Sequence, residues 1–176
     1  MGTKYSGSYI GTKGASAPPK TQSAESSVAT LPQDRLRHAN EGDFNIKGRP
    51  TSGGHGQDNI EKLKGTKYEP KITKTYPNGV RAGCIPHHKN PADREPEGHV
   101  WFPKNWTDKT IRAAANYVAK LKRARGAEDG ESIFGTYKGV VVGIKKRNGK
   151  IVTVFPSFSQ PTTTSKKGKK KWRAQK

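Results

Sequence analysis

The chain has 176 residues and a net charge of +20, from 34 Lys and Arg against 14 Asp and Glu, and only 30% of it is hydrophobic. That length fits one domain; no apolar run approaches the ~18 residues that a membrane-spanning helix needs, and Cys84, the one cysteine, excludes an intrachain disulfide framework and reads as a small half-buried residue. The last fifteen residues carry seven Lys and Arg and no acid, and the first 31 carry three Lys against one Glu, so the stretch between them keeps +11 of the charge. A domain basic in its own right calls for a polyanionic partner, nucleic acid ahead of an anionic membrane or an acidic protein.

Residues 1–31, rich in Ser, Thr, Gly, Ala and Pro, read as a flexible linker or the remnant of an entry segment of a larger protein. The apolar residues gather between Leu31 and Phe158, so a packed domain is expected over 32–160, followed by a basic disordered tail over 161–176. "LPQDRLRHANEG" predicts a short helix, with Pro32 in its first turn, Asp34 near its N-terminus and Gly42 as its stop. "DFNIKGRPTSGG" reads as a loop, and "GQDNIEKLKG" as a second short helix closed by Gly65. "YEPKITKTYPNGVRAGCIP" predicts a hairpin about a Pro-Asn-Gly turn, and "HHKNPADREPEGHVWFPKNW" a loop, a short strand and a loop. "TDKTIRAAANYVAKLKRARG" is the strongest helix, capped by Thr107, with Ile111, Ala115, Val118 and Leu121 at helical spacing and Gly126 at its end. "FGTYKGVVVGIKKRNGKIVTVFPSF" predicts two β-branched strands joined at Asn148-Gly149. The sum is a small α+β domain with short N-terminal helices, one longer helix and an antiparallel sheet.

Taken singly, each chemically interesting residue has an ordinary explanation. His38 is one histidine on a helix, and helical histidines mostly pack or face solvent. His55 follows Gly53-Gly54, and paired glycines most often form a turn, although they also let backbone approach a neighbour closely. His87, His88 and Lys89 sit in a Pro-flanked basic loop, while Thr153 and Phe155 alternate on one face of a strand. Together they carry more. Two imidazoles and a lysine on a basic domain suit RNA cleavage by its own 2′-hydroxyl: one imidazole removes that proton, the other protonates the departing 5′-oxygen, and the cation offsets charge on the phosphate. Neutral-range imidazole chemistry suits this near pH 7.

Four blocks, "RLRHANEGDFNIKGRPTSGGHGQDNI", "TYPNGVRAGCIPHHKN", "GHVWFPKNWTDKTIRAAANYV" and "IVTVFPSF", resemble in this order the bacterial EndoU nuclease domain, which typically ends polymorphic toxins, including contact-dependent growth inhibition proteins. The resemblance spans His38 to Phe158, and "WFPKNWTDKTI" is its most distinctive part. It implies an α+β fold with the antiparallel sheet of barnase-like and RelE-like RNases. It further implies a metal-independent or metal-stimulated endoribonuclease that needs no cofactor and leaves 2′,3′-cyclic phosphate ends. Carried over by motif, His38 and His55 are the two catalytic histidines, acid and base respectively, and Lys89 is the catalytic lysine. Thr153 and Phe155 are the substrate-binding pair. Phe155 departs from the Tyr usual there, keeping a ring face without a hydroxyl. Some relatives place a basic residue before "FP", so His99, and His88 beside Lys89, are second choices for the third catalytic group.

The resulting expectation is a toxin endoribonuclease, with tRNA one candidate substrate. It is carried outside the producer as part of a larger toxin, acts in the target-cell cytoplasm, and is neutralised by a cognate immunity protein that the basic domain expects to be acidic. Two other classes compete: a non-catalytic nucleic-acid-binding module, which would bind RNA without turnover, and a metal-dependent DNase toxin, for which only Asp93, Glu95 and Glu97 cluster as oxygen ligands.

Overall fold

The computed structural model describes residues 29–163. Nearly all of the expected linker, and the basic tail from residue 164 onward, lie outside the described residues. Leu31, at the edge of that linker, is buried in the core and donates its N–H to Asn116 Oδ1 at 2.9 Å.

Helix α1 (Gln33–Asn40) follows Pro32 and buries Leu36 and Ala39. The stretch expected as a loop after it instead forms two short antiparallel strands, β1 (Asp43–Phe44) and β2 (Pro50–Ser52). Asn45 closes their turn, its side-chain oxygen accepting the N–H groups of Lys47 and Arg49 at 3.0 and 2.9 Å. Such pairing is held by turn chemistry, so no β-branched alternation announces it in the sequence. Helix α2 (Gln57–Leu63) ends just before Gly65, which stands at φ +74°.

The hairpin over the Pro-Asn-Gly turn forms as expected, from β3 (Lys71–Thr75) and β4 (Arg81–Cys84). The short strand after it, β5 (His99–Trp101), pairs with β4 to complete a three-stranded sheet. A 3-10 turn over Pro91–Arg94 lies between β4 and β5.

Helix α3 (Asp108–Lys120) buries Ile111, Ala115 and Val118 as its periodicity predicted, but it does not run on to Gly126. The backbone of Leu121 is extended (φ −63°, ψ 144°), and the chain restarts as a single turn, α4 (Lys122–Arg125). The break lays the Leu121 side chain over Gly135 and turns Ala124 into the core. Thr107 occupies the N-cap position without a side-chain capping bond.

The C-terminal β-region has three strands where two were expected: β6 (Ser132–Tyr137), β7 (Val140–Arg147) and β8 (Lys150–Pro156), paired in that order. The additional turn, Lys138-Gly139, has positive φ at both residues (48° and 77°), as does Asn148-Gly149 (51° and 73°), the backbone that two-residue hairpins require. The class is α+β, with three small antiparallel sheets among the described residues in place of one.

Strand alternation divides the last sheet. Ile133, Val142, Ile144, Ile151 and Val154 join Ile111, Ala115 and Val118 of α3 in the main core. The opposite face presents Ser132, Phe134, Lys145, Thr153 and Phe155 to a cavity. β8 runs alongside both α1 and β5, which brings the histidine-bearing segments to that cavity. A smaller core, Leu63, Tyr68, Ile85 and Trp101, supports β5 from behind.

Candidate active site

The end of an α-helix leaves carbonyls with no intrahelical partner. In α1 those of His38, Ala39 and Asn40 accept N–H groups from Gly54, His55 and Gly56 in succession. The segment bearing His55 is thus laced along the end of the helix bearing His38. This close approach is what the paired glycines permit. Gly53 and Gly54 stand at φ +68° and +78°. A Cβ on Gly53 would meet the His38 carbonyl and lie 2.8 Å from His38 Cε1; one on Gly54 would strike the Asn59 amide. On its other side, the His55 carbonyl accepts Phe102 N–H at 2.7 Å, tying the same residue to the end of β5.

His38 Nδ1 and Asp43 Oδ2 are 2.8 Å apart, so the carboxylate orients a ring that packs beside Gly53. His55 donates from Nδ1 to the Val100 carbonyl at 2.8 Å. Because a carbonyl only accepts, this fixes the tautomer and leaves Nε2 of the neutral ring as an acceptor. Burial, together with the nearby His99, pushes the His55 pKa down to about 3, so the ring is neutral at physiological pH.

His99 stacks on His55, with ring centroids 4.7 Å apart and planes within 11°. It is 2% exposed, and both nitrogens face oxygens: Nδ1 to Asp93 Oδ1 at 2.6 Å and Nε2 to the Gly54 carbonyl at 2.8 Å. With Asp93 ionised, both bonds are satisfied only by a ring protonated at both nitrogens, that is, by an imidazolium. Burial works to raise the Asp93 pKa, but the hydrogen bond and charge of His99, with help from His88 and Asn90, outweigh it and hold Asp93 below the usual carboxylate range.

These groups border a cavity of about 520 Å³ whose walls include His55, His99, Asp93, Thr153 and Phe155. Gly53 lines it too, with His38 against Gly53 just behind the rim. Phe155 lies 6.2 Å from the His55 ring, centroid to centroid, and Thr153 sits two residues away on the same face. Three of the five residues put forward from the sequence, His55, Thr153 and Phe155, therefore line one cavity, and a fourth, His38, packs against its wall at Gly53. Lys89 does not. Its N–H donates to Pro50, its carbonyl accepts from Arg94, and its exposed side chain is not part of the cavity wall. Arg49 and Arg94 hold the carbonyls of residues 87–89 and fix the loop in that pose. Of the two second choices, His99 is in the site. His88 is 1% exposed, and its Nδ1 accepts Asn90 N–H at 3.0 Å. Burial lowers its pKa, and it serves the loop's packing.

Of the wall residues not evident from the sequence, three bear on the chemistry. Asp93 stands there only as a possible metal ligand, yet it orients His99. Lys145 and Phe134 project into the cavity because of their strand register, and Phe134 lies on the strand the sequence did not reveal. Period-2 alternation over "SIFGTY" was the signal available for it. Among the described residues no three His, Cys, Asp or Glu side chains are grouped to hold a metal ion, and no helix is long and apolar enough to cross a membrane.

The family model for the bacterial EndoU nuclease matches residues 32–158, which include every residue of this site. No curated protein and no solved structure matches the chain.

Proposed function

Since this chain belongs to the bacterial EndoU nuclease family and is a nuclease acting on nucleic acid, we propose that it is an endoribonuclease that cleaves RNA by attack of the 2′-hydroxyl on the adjacent phosphate. The observation that carries this reading is the His55–His99 stack: a neutral imidazole with its Nε2 unprotonated, beside a ring whose two nitrogens both face acceptors. His55 Nε2 takes the proton of the 2′-hydroxyl, and His38, oriented by Asp43, protonates the departing 5′-oxygen. The bond from the 2′-oxygen to phosphorus forms as the bond to the 5′-oxygen breaks, leaving a 2′,3′-cyclic phosphate and a 5′-hydroxyl. His99, held by Asp93, supplies the positive charge that the family resemblance assigns to Lys89, and it acts through the field it sets up beside His55. Thr153 and Phe155 hold the base next to the scissile phosphate.

The test is incubation of the purified chain with total RNA in EDTA, followed by end-group analysis. Cyclic phosphate ends are expected, with cleavage reduced at least about 100-fold in His38→Ala and in His55→Ala. Full activity in either variant, or binding of RNA without turnover, overturns the reading.

The biological setting belongs to the same proposal. The nuclease acts as a toxin against competing bacteria, delivered as part of a larger protein into the target cytoplasm, with tRNA a candidate substrate. An acidic immunity protein covers the cavity in the producing cell. The family resemblance and the +20 charge support this reading. A co-encoded acidic protein that neither binds the chain nor inhibits cleavage would count against it.

A further inference from the structure

The cavity-facing side of the β6–β8 sheet carries two rows of side chains in register. In one, Ser132 pairs with Lys145 and Lys145 with Thr153; in the next, Phe134 pairs with Gly143 and Gly143 with Phe155. All but Gly143 line the cavity. A Cβ on Gly143 would lie 2.6 Å from Phe155 Cε2 and 2.8 Å from Phe134 Cε1, so both rings lean over the bare middle strand. They meet edge to face, with centroids 6.1 Å apart and planes at 85°. Phe155 turns toward His55, whereas Phe134 is 39% exposed and faces outward from the reacting groups. Lys146 is occupied by the Ala124 carbonyl, but Lys145 has no side-chain partner among the described residues. An aromatic ring left open beside an unpaired cation, flanked by hydroxyls, is the chemistry that holds one nucleotide of a single strand: a ring for the base and an ammonium for its phosphate.

We propose that this face is a second nucleotide subsite, in which Phe134 stacks on the base adjoining the one held by Phe155 and Lys145 binds the phosphate between Ser132 and Thr153. The occupant is single-stranded RNA, because bases in a duplex cannot splay onto a ring. The inference rests on the ribonuclease reading above and assigns it a substrate length: a strand that occupies both subsites binds better than one that reaches only the first. Gly143 is the element that makes room, since any side chain there would push the two rings apart.

The test uses the full chain in two arms. In the first, kcat and KM are measured for a dinucleotide and for a single-stranded hexanucleotide. The wild type is expected to prefer the hexanucleotide by at least about tenfold in kcat/KM. Phe134→Ala should raise KM for the hexanucleotide about tenfold and Phe134→Trp should restore it, in keeping with the usual effect of removing one stacking partner. In the second arm, a hexanucleotide made uncleavable by 2′-deoxy substitution is bound and followed by fluorescence anisotropy at several salt concentrations. Lys145→Ala should weaken binding and flatten the log–log salt slope by about 0.7, the effect of one lost phosphate contact on a single strand. Lys150→Ala, at an exposed lysine that begins β8, controls for general charge. Phe134→Ala and Lys145→Ala that match the wild type in both arms overturn the subsite. If no RNA is cleaved by the wild type, the ribonuclease reading fails, and the anisotropy arm still decides whether the subsite exists.

Discussion

Gly54 shows how much of this site is decided by one missing methyl group. Its backbone is left-handed and a Cβ there would strike the amide of Asn59, which in turn donates to the Glu41 carbonyl and accepts from Trp101 Nε1. Gly54→Ala must pay for positive φ and displace Asn59 as well. A loss of at least about 2 kcal/mol is expected, or several degrees in the midpoint of thermal unfolding followed by circular dichroism. His55 gives a second expectation. Its pKa is low in the folded chain and ordinary in the unfolded one, so below about pH 6.5 the unfolded state binds the proton that the folded state refuses. Stability should therefore fall as pH drops from 6.5 toward 3, by up to about 1.4 kcal/mol per pH unit from this group. Urea unfolding of the wild type beside His55→Gln, between about pH 7 and pH 4, should show the wild type with the steeper acid loss; identical slopes would dismiss the assignment. At this scale much was legible. Two histidines and a double glycine at the right spacing can be read as letters, because their meaning is local. The third group could not. Lys89 looks apt in a sequence, but whether a loop lysine points inward depends on Arg49 and Arg94, one distant in the chain and one near, which hold the loop's carbonyls.

Among the elements, the sheet β6–β8 walls the cavity, and α3 is the part that holds the sheet. They meet at Gly135, where an added Cβ would lie 2.6 Å from Leu121 Cδ1 and 3.1 Å from Val118 Cγ2. Gly135→Val should lift the helix from the sheet and destabilise the chain by about 1–3 kcal/mol, the usual cost of overfilling a core, read as a lower urea midpoint at unchanged slope. The break of α3 at Leu121 belongs to the same contact, since the extended residue places its side chain over Gly135. This explains why the periodic pattern overshot. Leu121 does lie on the apolar face that the helical spacing marks, but it is half-buried by a bend in the chain and not by another helical turn. The strand β6 was missed for a related reason. Its turn, Lys138-Gly139, lacks the Asn or Asp that usually announces positive φ, and a lysine adopts it at φ 48°.

For the molecule as a whole, charge governs how a substrate arrives. With +20 over 176 residues, RNA binding should be dominated by counterion release. Raising salt from about 50 to about 200 mM should weaken binding of an uncleavable single strand at least about tenfold, as expected for roughly three phosphate contacts, while leaving the fold intact by circular dichroism. A salt-independent affinity would mean that the basic residues serve solubility alone. Net charge is the feature most completely legible in the sequence, because it needs no geometry. The location of the cavity is the least legible. It forms where α1, β5 and β8 meet, and those elements are joined by contacts between residues far apart in the chain, such as the bond from His55 to Val100 across a separation of 45.

The lacing of residues 54–56 onto the end of α1 has a consequence for how this chain could vary. The spacing between the His38 and His55 imidazoles is set by three backbone hydrogen bonds across the gap and not by the length of chain that loops out between them. The excursion through β1 and β2 carries Asp43, which orients His38, but its tip, where Ile46 is fully exposed, can change length at little entropic cost. A short peptide tag spliced between Ile46 and Lys47 should leave cleavage within about twofold of the parent, a permissive port for labels only a few residues from the reacting groups.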